Sequence, residues 1–313
     1  MNPLNILLIG LGNIGKVHKR VIENNNSTNL YGIVDTSFKK KHEIVDGLEY
    51  FNDFHLVNLD DGLIDGVVIS STTSTHYEIA KQFLERNIPV FLEKPISIDK
   101  SEIEKILILA SSQETIFRCG LIETYNPIFH YIKGLNLNDI ISVHIYRHSQ
   151  PVAGQRKLEN VLFDLTLHDI SVLGYLFGNP NLQPVGQNLN LVQNSIESAD
   201  LLYTFAGKNV FISTSRESQI KIRKWDILTK KSLYQIDLMQ KSIDIYESGT
   251  VNYTPTNLLN SEVNHSRLSF VNHIETAQIQ LNAFINNIHH NKIDKNHLEI
   301  VKYAHDVIYN ISD

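Results

Sequence analysis

A glycine turn, a lysine behind a buried strand, and an aspartate–histidine pair on one helical face are the residues of this chain best suited to chemistry. Gly10, Gly12 and Gly15 follow directly on the apolar run from Leu4 to Ile9, and Ile14, Val17 and Val21 then recur at helical spacing. Strand, glycine turn and helix in that order suit a pyrophosphate. Gly10 permits the tight turn, Gly12 lets a phosphate approach the backbone, and Gly15 lets the helix pack close to the strand. The helix start, with Asn13 and Ile14, offers unpaired N–H groups and a positive dipole end. The next predicted strand, Leu30 to Val34, ends at Asp35, 20 residues past Gly15. That is close to the spacing at which an acid binds a ribose 2′-hydroxyl. A carboxylate there repels a 2′-phosphate, so NAD is favoured over NADP. The plain alternative is a strand-end aspartate in a turn.

Ile88 to Leu92 reads as a short buried strand, closed by Glu93, Lys94 and Pro95. Proline holds its neighbour extended, so Lys94 is presented at the carboxyl end of a buried strand, where open α/β sheets bind ligands. Taken alone, Glu-Lys-Pro reads equally as a surface lysine before a turn. Asp164 and His168 are four apart in a predicted helix running to Phe177, so they share a face. An imidazole titrates near neutrality and is a natural proton acceptor. The pair could also be a solvated surface pair. Its spacing would suit a metal, but none is expected, because no His/Cys/Asp/Glu cluster has zinc-site spacing.

The elements that must position these residues alternate through the first half. Asp65 to Ser70 is a buried strand, and Ser70 to Thr75 a polar turn suited to capping a helix and to hydrogen-bonding a ribose or phosphate. Ser70, Ser71 and Thr72 are therefore cofactor candidates, and His76 just beyond reads as a cofactor contact or as a core histidine. His76 to Glu85 is a predicted helix. Ser101 and Glu104 form a capping-box pattern for the next one, and Thr115 to Cys119 is a further strand. Strands alternating with amphipathic helices predict a doubly wound parallel sheet, so residues 1–121 form an NAD-binding Rossmann domain.

Residues 122–313 change pattern and form the expected substrate-binding and oligomerisation domain. Glu123 to Pro127 opens a helix, and Ile140 to His148 alternates as a strand. Gln150 to Asn160 is a polar loop. Beyond about Pro184 the period is two, with no long helix between segments, which predicts a large, mostly antiparallel sheet with one open face. Such a face is a candidate subunit interface. The last 45 or so residues are helical, from Phe270 to Ile288 and from Asn296 to Ile311, and are free to pack back on the first domain. Arg147 and Arg156 are candidates for meeting a nucleotide diphosphate through paired hydrogen bonds, though either one singly also reads as a surface arginine.

Composition narrows the classes. At 313 residues with 42% hydrophobic content, the chain can build two cores. Its net charge of −6 comes from mixed signs with no basic stripe, which argues against nucleic acid. No apolar run approaches the ~20 residues of a membrane span. The amino terminus lacks the pattern of a signal peptide. The one cysteine, Cys119, suits a reducing, cytoplasmic setting.

The three stretches together resemble the Gfo/Idh/MocA family of oxidoreductases. The likeness rests on Gly10-x-Gly12-x-x-Gly15 with His18 just after, on Glu93-Lys94-Pro95, and on Asp164-x-x-x-His168-Asp169. It implies an α/β protein with an amino-terminal Rossmann domain and a carboxyl-terminal α+β domain bearing a large open sheet. It also implies homodimers or homotetramers through that sheet. The implied activity is NAD(P)-dependent oxidation of sugar or cyclitol hydroxyls, with Lys94, Asp164 and His168 at the catalytic positions and Glu93 beside the cofactor. Gly120 to Pro127 further resembles a segment of members acting on UDP-N-acetylglucosamine, which oxidise its 3-hydroxyl. This suggests Tyr125 and Asn126 as substrate contacts. Here Thr124 stands where that subgroup has arginine, and Tyr125 where it has phenylalanine.

Oxidising a secondary alcohol removes a hydride and a proton, and the protein must accept the proton. His168 or Lys94 takes it on this reading, with Asp164 orienting the imidazole. The expectation is that amine and imidazole converge on one carbinol. An inositol or free-aldose dehydrogenase of the same family is the nearest alternative. A sensor that binds the dinucleotide without catalysis is the alternative of another class.

Overall fold

The apolar run Leu4–Ile9 forms β1, the central strand of a seven-stranded sheet. The computed structural model describes residues 2–151, 159–253, 259–271 and 274–312. They fall into two units: Met1–Tyr125 with Ile274–Tyr309, and Asn126–His273 with Asn310–Asp313.

In the first unit, β1 leads through α1 (Asn13–Glu23) to β2 (Thr28–Val34), then to β3 (His42–Val45) and β4 (Leu48–Phe51). The chain returns to β5 (Gly66–Ile69), α2 (Thr73–Leu84), β6 (Val90–Leu92), α3 (Lys100–Ser112) and β7 (Phe117–Cys119). The spatial order is β3-β4-β2-β1-β5-β6-β7, parallel except that β3 pairs antiparallel with β4. The strand order reverses between β1 and β5, which is where a doubly wound sheet opens its crevice. The β3–β4 hairpin carries no sequence signal; its residues are mostly exposed or half-buried, so no apolar period marks it.

Two starts shift from the expected positions. α3 begins at Lys100, with Asp99 as its cap accepting from Ser101 N at 2.7 Å, rather than at the Ser101 capping box. α2 begins at Thr73, and Thr72 makes no side-chain cap bond.

The helical tail belongs to this first unit. α6 (Thr276–His289) places Ala277, Leu281, Phe284 and Ile285 in one core with Ile6, Leu8, Val21, Ile22, Val68 and Phe91. Phe284 meets Phe91 edge to face at 5.9 Å. α7 (Lys295–Ser312) adds Val301, Ala304 and Ile308, all fully buried. The first unit thus ends at Tyr125 instead of residue 121 and takes back residues 274–309, of which α6 covers apolar surface of its sheet.

The second unit contains α4 (Pro127–Ile132), β8 (Ile140–His148), a π-helical turn over Leu162–Thr166 and α5 (Leu167–Phe177). β9 (Gln183–Val192), β10 (Ser195–Phe205), β11 (Lys208–Ser215), β12 (Ile222–Thr229), β13 (Ser232–Asp237), β14 (Ser242–Tyr253) and β15 (Leu259–Ser269) follow. The eight strands lie in the order β15-β14-β13-β12-β8-β11-β10-β9. All pairs are antiparallel but one: β8 runs parallel to β11, which the long connection through α5 permits. Val143, Ile145 and Arg147 of β8 are buried, and so are Val210, Ile212 and Thr214 of β11 and Trp225 and Ile227 of β12. The alternate residues of β8, among them His144, Tyr146 and His148, are half-buried on the other face. Gly178, in the left-handed conformation at φ +69°, ends α5. Among the described residues no helix is long and apolar enough to cross a membrane.

Candidate active site

The glycine turn between β1 and α1 is shaped by what surrounds each glycine. Gly10 has φ +92°, and a Cβ there would lie 2.6 Å from the Ser70 and Ser71 backbone. A Cβ on Gly15 would lie 2.1 Å from Gly10 O, so strand and helix meet in direct backbone contact. Gly12 differs. A Cβ on it would meet nothing within 4 Å. Protein packing does not demand glycine at that position, and room for a phosphate does. Gly12 caps α1 without a side-chain acceptor, and Gly12, Asn13 and Ile14 are all exposed. A helix's first amides have no partner within the helix, so this end is open to an anion.

Asp35 closes the turn from the side. Its Oδ2 accepts from Leu11 N at 2.6 Å and its Oδ1 from Ser37 N at 2.9 Å. Partial burial raises its pKa, but the hydrogen bonds from Ser37 and Leu11 outweigh this and hold it below the ordinary carboxylate range. These residues fit a dinucleotide, with a pyrophosphate at the Gly12 end of α1 and a ribose toward the anionic Asp35.

Glu93 and Lys94 follow β6 directly. Glu93 Oε1 lies 2.7 Å from Nε2 of buried His18, and its Oε2 accepts from Lys94 N at 3.3 Å. A Cβ on Gly120 would lie 2.5 Å from Glu93 Oε2, so glycine at the end of β7 makes room for that carboxylate. Lys94 is half-buried.

In the second unit, Asn160 Oδ1 accepts from Leu162 N at 3.0 Å and starts the π-helical turn that carries Asp164. Single π turns concentrate at functional sites. Asp164 is 7% exposed, and its Oδ2 lies 3.5 Å from Arg216 Nη1. Arg216 also donates to both oxygens of Glu197, at 2.6 and 2.8 Å. One partner of Asp164 is thus an arginine that sequence spacing could not suggest. His168 lies in the first turn of α5, half-buried, and Ser171 Oγ donates to its carbonyl at 2.7 Å. Its neighbour Asp169 is fully buried. Asp169 accepts from Arg147 Nε and Nη2 at 2.6 and 2.9 Å and from Trp225 Nε1 at 3.1 Å. This pins the start of α5, and so His168, to β8 and β12.

Several candidates have other work. Arg147 is 1% exposed and spends its guanidinium on Asp169, so it is a core anchor and not a diphosphate ligand. Ser70 is buried and donates to Gly10 O at 3.0 Å, bracing the glycine turn from below. His76 is 1% exposed, with Nδ1 2.8 Å from Pro95 O and Nε2 3.1 Å from Ser71 O; it ties two turns together and does not face a ligand. Ser71 and Thr72 pair with Thr75 and Ser74 hydroxyls. The Tyr125 hydroxyl takes a hydrogen bond from Arg118, and burial pushes its pKa up to about 12. Asn126 caps α4, accepting from Ile128 N at 3.1 Å. Neither is disposed as a substrate contact. Arg156 lies outside the described residues. Among the described residues, no group of three His, Cys, Asp or Glu side chains could hold a metal.

Sequence reasoning missed His18 as the partner of Glu93, Arg216 as the partner of Asp164, and His305. His305 on α7 is fully buried and accepts from Ile96 N at 3.3 Å. Only His18 was signalled at all, by its place behind the glycine turn.

Comparison with known proteins agrees with this geometry. Residues 4–121 match the GFO_IDH_MocA family, described as an oxidoreductase family with an NAD-binding Rossmann fold. Inositol 2-dehydrogenase of Rhizobium meliloti is 25% identical over 227 residues, 67% of this chain and 68% of that protein. UDP-N-acetylglucosamine 3-dehydrogenase of Acidithiobacillus ferrooxidans is 22% identical over 246 residues, 77% of this chain and 76% of that one. A crystal form of the latter superposes with a TM-score of 0.77 at 18% identity, covering 98% of this chain and 97% of its own. A 3-ketoreductase from Actinomadura kijaniata, in complex with TDP-benzene and NADP, superposes with a TM-score of 0.78 at 14% identity, covering 98% and 96%. Over residues 4–121 this chain is thus similar to the Gfo/Idh/MocA oxidoreductases and their NAD-binding Rossmann fold.

Proposed function

We propose that this protein is an NAD-dependent dehydrogenase that oxidises a secondary hydroxyl of a sugar or sugar nucleotide to a ketone. The observation that carries the reading is the Gly10–Gly15 turn, where Gly12 faces open space and Asp35 docks on Leu11 N. When bound there, a nicotinamide dinucleotide supplies the hydride acceptor. The hydroxyl proton falls to the protein. Lys94 and His168 are the amine and imidazole that handle it, and Asp164 supplies negative charge one turn before His168. The anionic state of Asp35 supports NAD over NADP, since a carboxylate repels a 2′-phosphate.

The 3-hydroxyl of a UDP-N-acetylhexosamine is the finer reading, supported by the Acidithiobacillus ferrooxidans relative. The Rhizobium meliloti relative supports a second one, an inositol. Incubating the protein with NAD and, separately, UDP-N-acetylglucosamine, myo-inositol and glucose distinguishes them by NADH absorbance. A rise with the sugar nucleotide supports the first. A rise with inositol alone replaces it with the second. No rise with any of them removes the dehydrogenase reading in favour of a dinucleotide sensor.

The outer face of the eight-stranded sheet is proposed to join copies into a homodimer or homotetramer. Leu202 and Leu228 are 36% and 39% exposed there. Light scattering on the eluting protein tests this, and a monomer at micromolar concentration would exclude it.

A further inference from the structure

Glu93 N donates to Ile69 O at 2.9 Å and Asp99 O accepts from Ile103 N, but Lys94 to Ile98 lie between β6 and α3, outside any strand or helix. Three buried histidines from three helices hold this segment. His18 of α1 bonds the Glu93 carboxylate, His76 of α2 bonds Pro95 O, and His305 of α7 bonds Ile96 N. They are 3%, 1% and 0% exposed. Lys94 lies between the first two of these anchor points, Glu93 and Pro95.

His305 is the least expected of the three. It stands in an apolar stripe of α7 with Val301, Ala304 and Ile308, all fully buried, where a hydrophobic residue would cost no desolvation. Its Nδ1 donates to Val301 O at 2.8 Å, which fixes the tautomer and leaves the Nε2 lone pair for Ile96 N. Burial holds its pKa down, to about 4, so the accepting form persists through the neutral range. Ile96 is itself fully buried, so losing the His305 acceptor would remove the hydrogen bond of a buried N–H.

We propose that His305 is a positioning residue for Lys94: by accepting the Ile96 N–H it fixes the backbone that carries the amine, while His76 holds the adjoining Pro95 carbonyl. The inference rests on the reading of Lys94 as a proton-handling group. Small displacements of such a group are costly in rate, so the signature belongs in kcat.

The test compares His305→Leu, which fills the space without an acceptor, and His305→Gln, whose Oε1 can accept, in the full chain. Three readouts are taken: hydrogen exchange at the Ile96 amide, the rate at which acetic anhydride labels Lys94, and steady-state kinetics. In His305→Leu the Ile96 amide exchanges faster. Lys94 labelling shifts by about threefold or more while exposed Lys100 is unchanged, and kcat falls about tenfold with the KM for NAD held within about twofold. His305→Gln restores most of each. Unchanged Lys94 labelling and kcat in a folded His305→Leu protein would overturn the proposal, as would a loss that Gln does not rescue. If His305→Leu does not fold, the wild-type protein decides. Protection of the Ile96 amide supports the contact, and exchange at the rate of an exposed loop overturns it. If the wild-type protein turns over no substrate, the dehydrogenase reading fails, and exchange and labelling still judge His305.

Discussion

Gly12 and Gly15 differ in what a methyl group would meet, and that separates binding from folding. Gly12→Ala should fold like wild type, because its Cβ finds nothing within 4 Å, yet bind NADH about tenfold or more weakly, a loss of ~1.4 kcal/mol. Gly15→Ala forces a Cβ to 2.1 Å from Gly10 O and should lose about 1–3 kcal/mol of stability as well as binding. Thermal melts with and without NADH check both. Lys94→Ala should lower turnover by at least about 10²-fold with NAD binding nearly intact, measured by NADH absorbance and by titration of the dinucleotide. The glycine spacing and Asp35 were legible in sequence because their geometry is local to one strand, turn and helix. His76, Arg147 and Asn126 stay open in sequence for the opposite reason. Their types suit ligands, but burial and the nearest carbonyl, carboxylate or amide decide their role, and these appear only in the folded chain.

At the scale of elements, α7 shows how a correct period can hide its most informative residues. Leu298, Val301, Ala304 and Ile308 read as an apolar stripe, but His297 and His305, eight apart, are buried on α7 too. His297 accepts from Cys119 N at 3.0 Å, as His305 does from Ile96 N. Their partners lie 178 and 209 residues away, beyond any local pattern. Burial depresses both pKa values, with Arg118 adding to the effect at His297. Between an unfolded value near 6.5 and about 4 for folded His305, the unfolded chain binds more protons. Stability from this residue is therefore complete above pH 6.5 and lost as pH falls toward 4. Urea midpoints should drop across that window, and His305→Gln should flatten the drop while starting lower at neutral pH. The π-helical turn was equally hidden. Apolar spacing through Val161–Phe177 reads as one continuous helix, while in the structure Leu162–Thr166 winds as a π-helix behind the Asn160 contact to Leu162 N.

The whole molecule is discontinuous in sequence, and that has a measurable consequence. The chain completes the sheet of the first unit by Cys119, leaves at Tyr125, and returns only at Ile274 to cover it. Leu281, Phe284 and Ile285 are at most 3% exposed in the core that also holds Ile6, Leu8, Val68 and Phe91. At ~1.5–3 kcal/mol per buried apolar side chain, these three contribute about 5–9 kcal/mol. That equals the whole net stability of many domains, ~5–15 kcal/mol. A fragment of residues 1–273 should therefore lack a cooperative melt for its nucleotide-binding unit and fail to bind NADH, although every glycine of the turn and Asp35 are present. Residues 1–125 joined by a flexible linker to 274–313 should melt cooperatively and bind it. Calorimetry and NADH fluorescence on the two proteins decide the matter. A cooperative, NADH-binding 1–273 fragment would mean that the sheet and its own helices suffice, and that the Phe284 cluster only decorates a domain already complete.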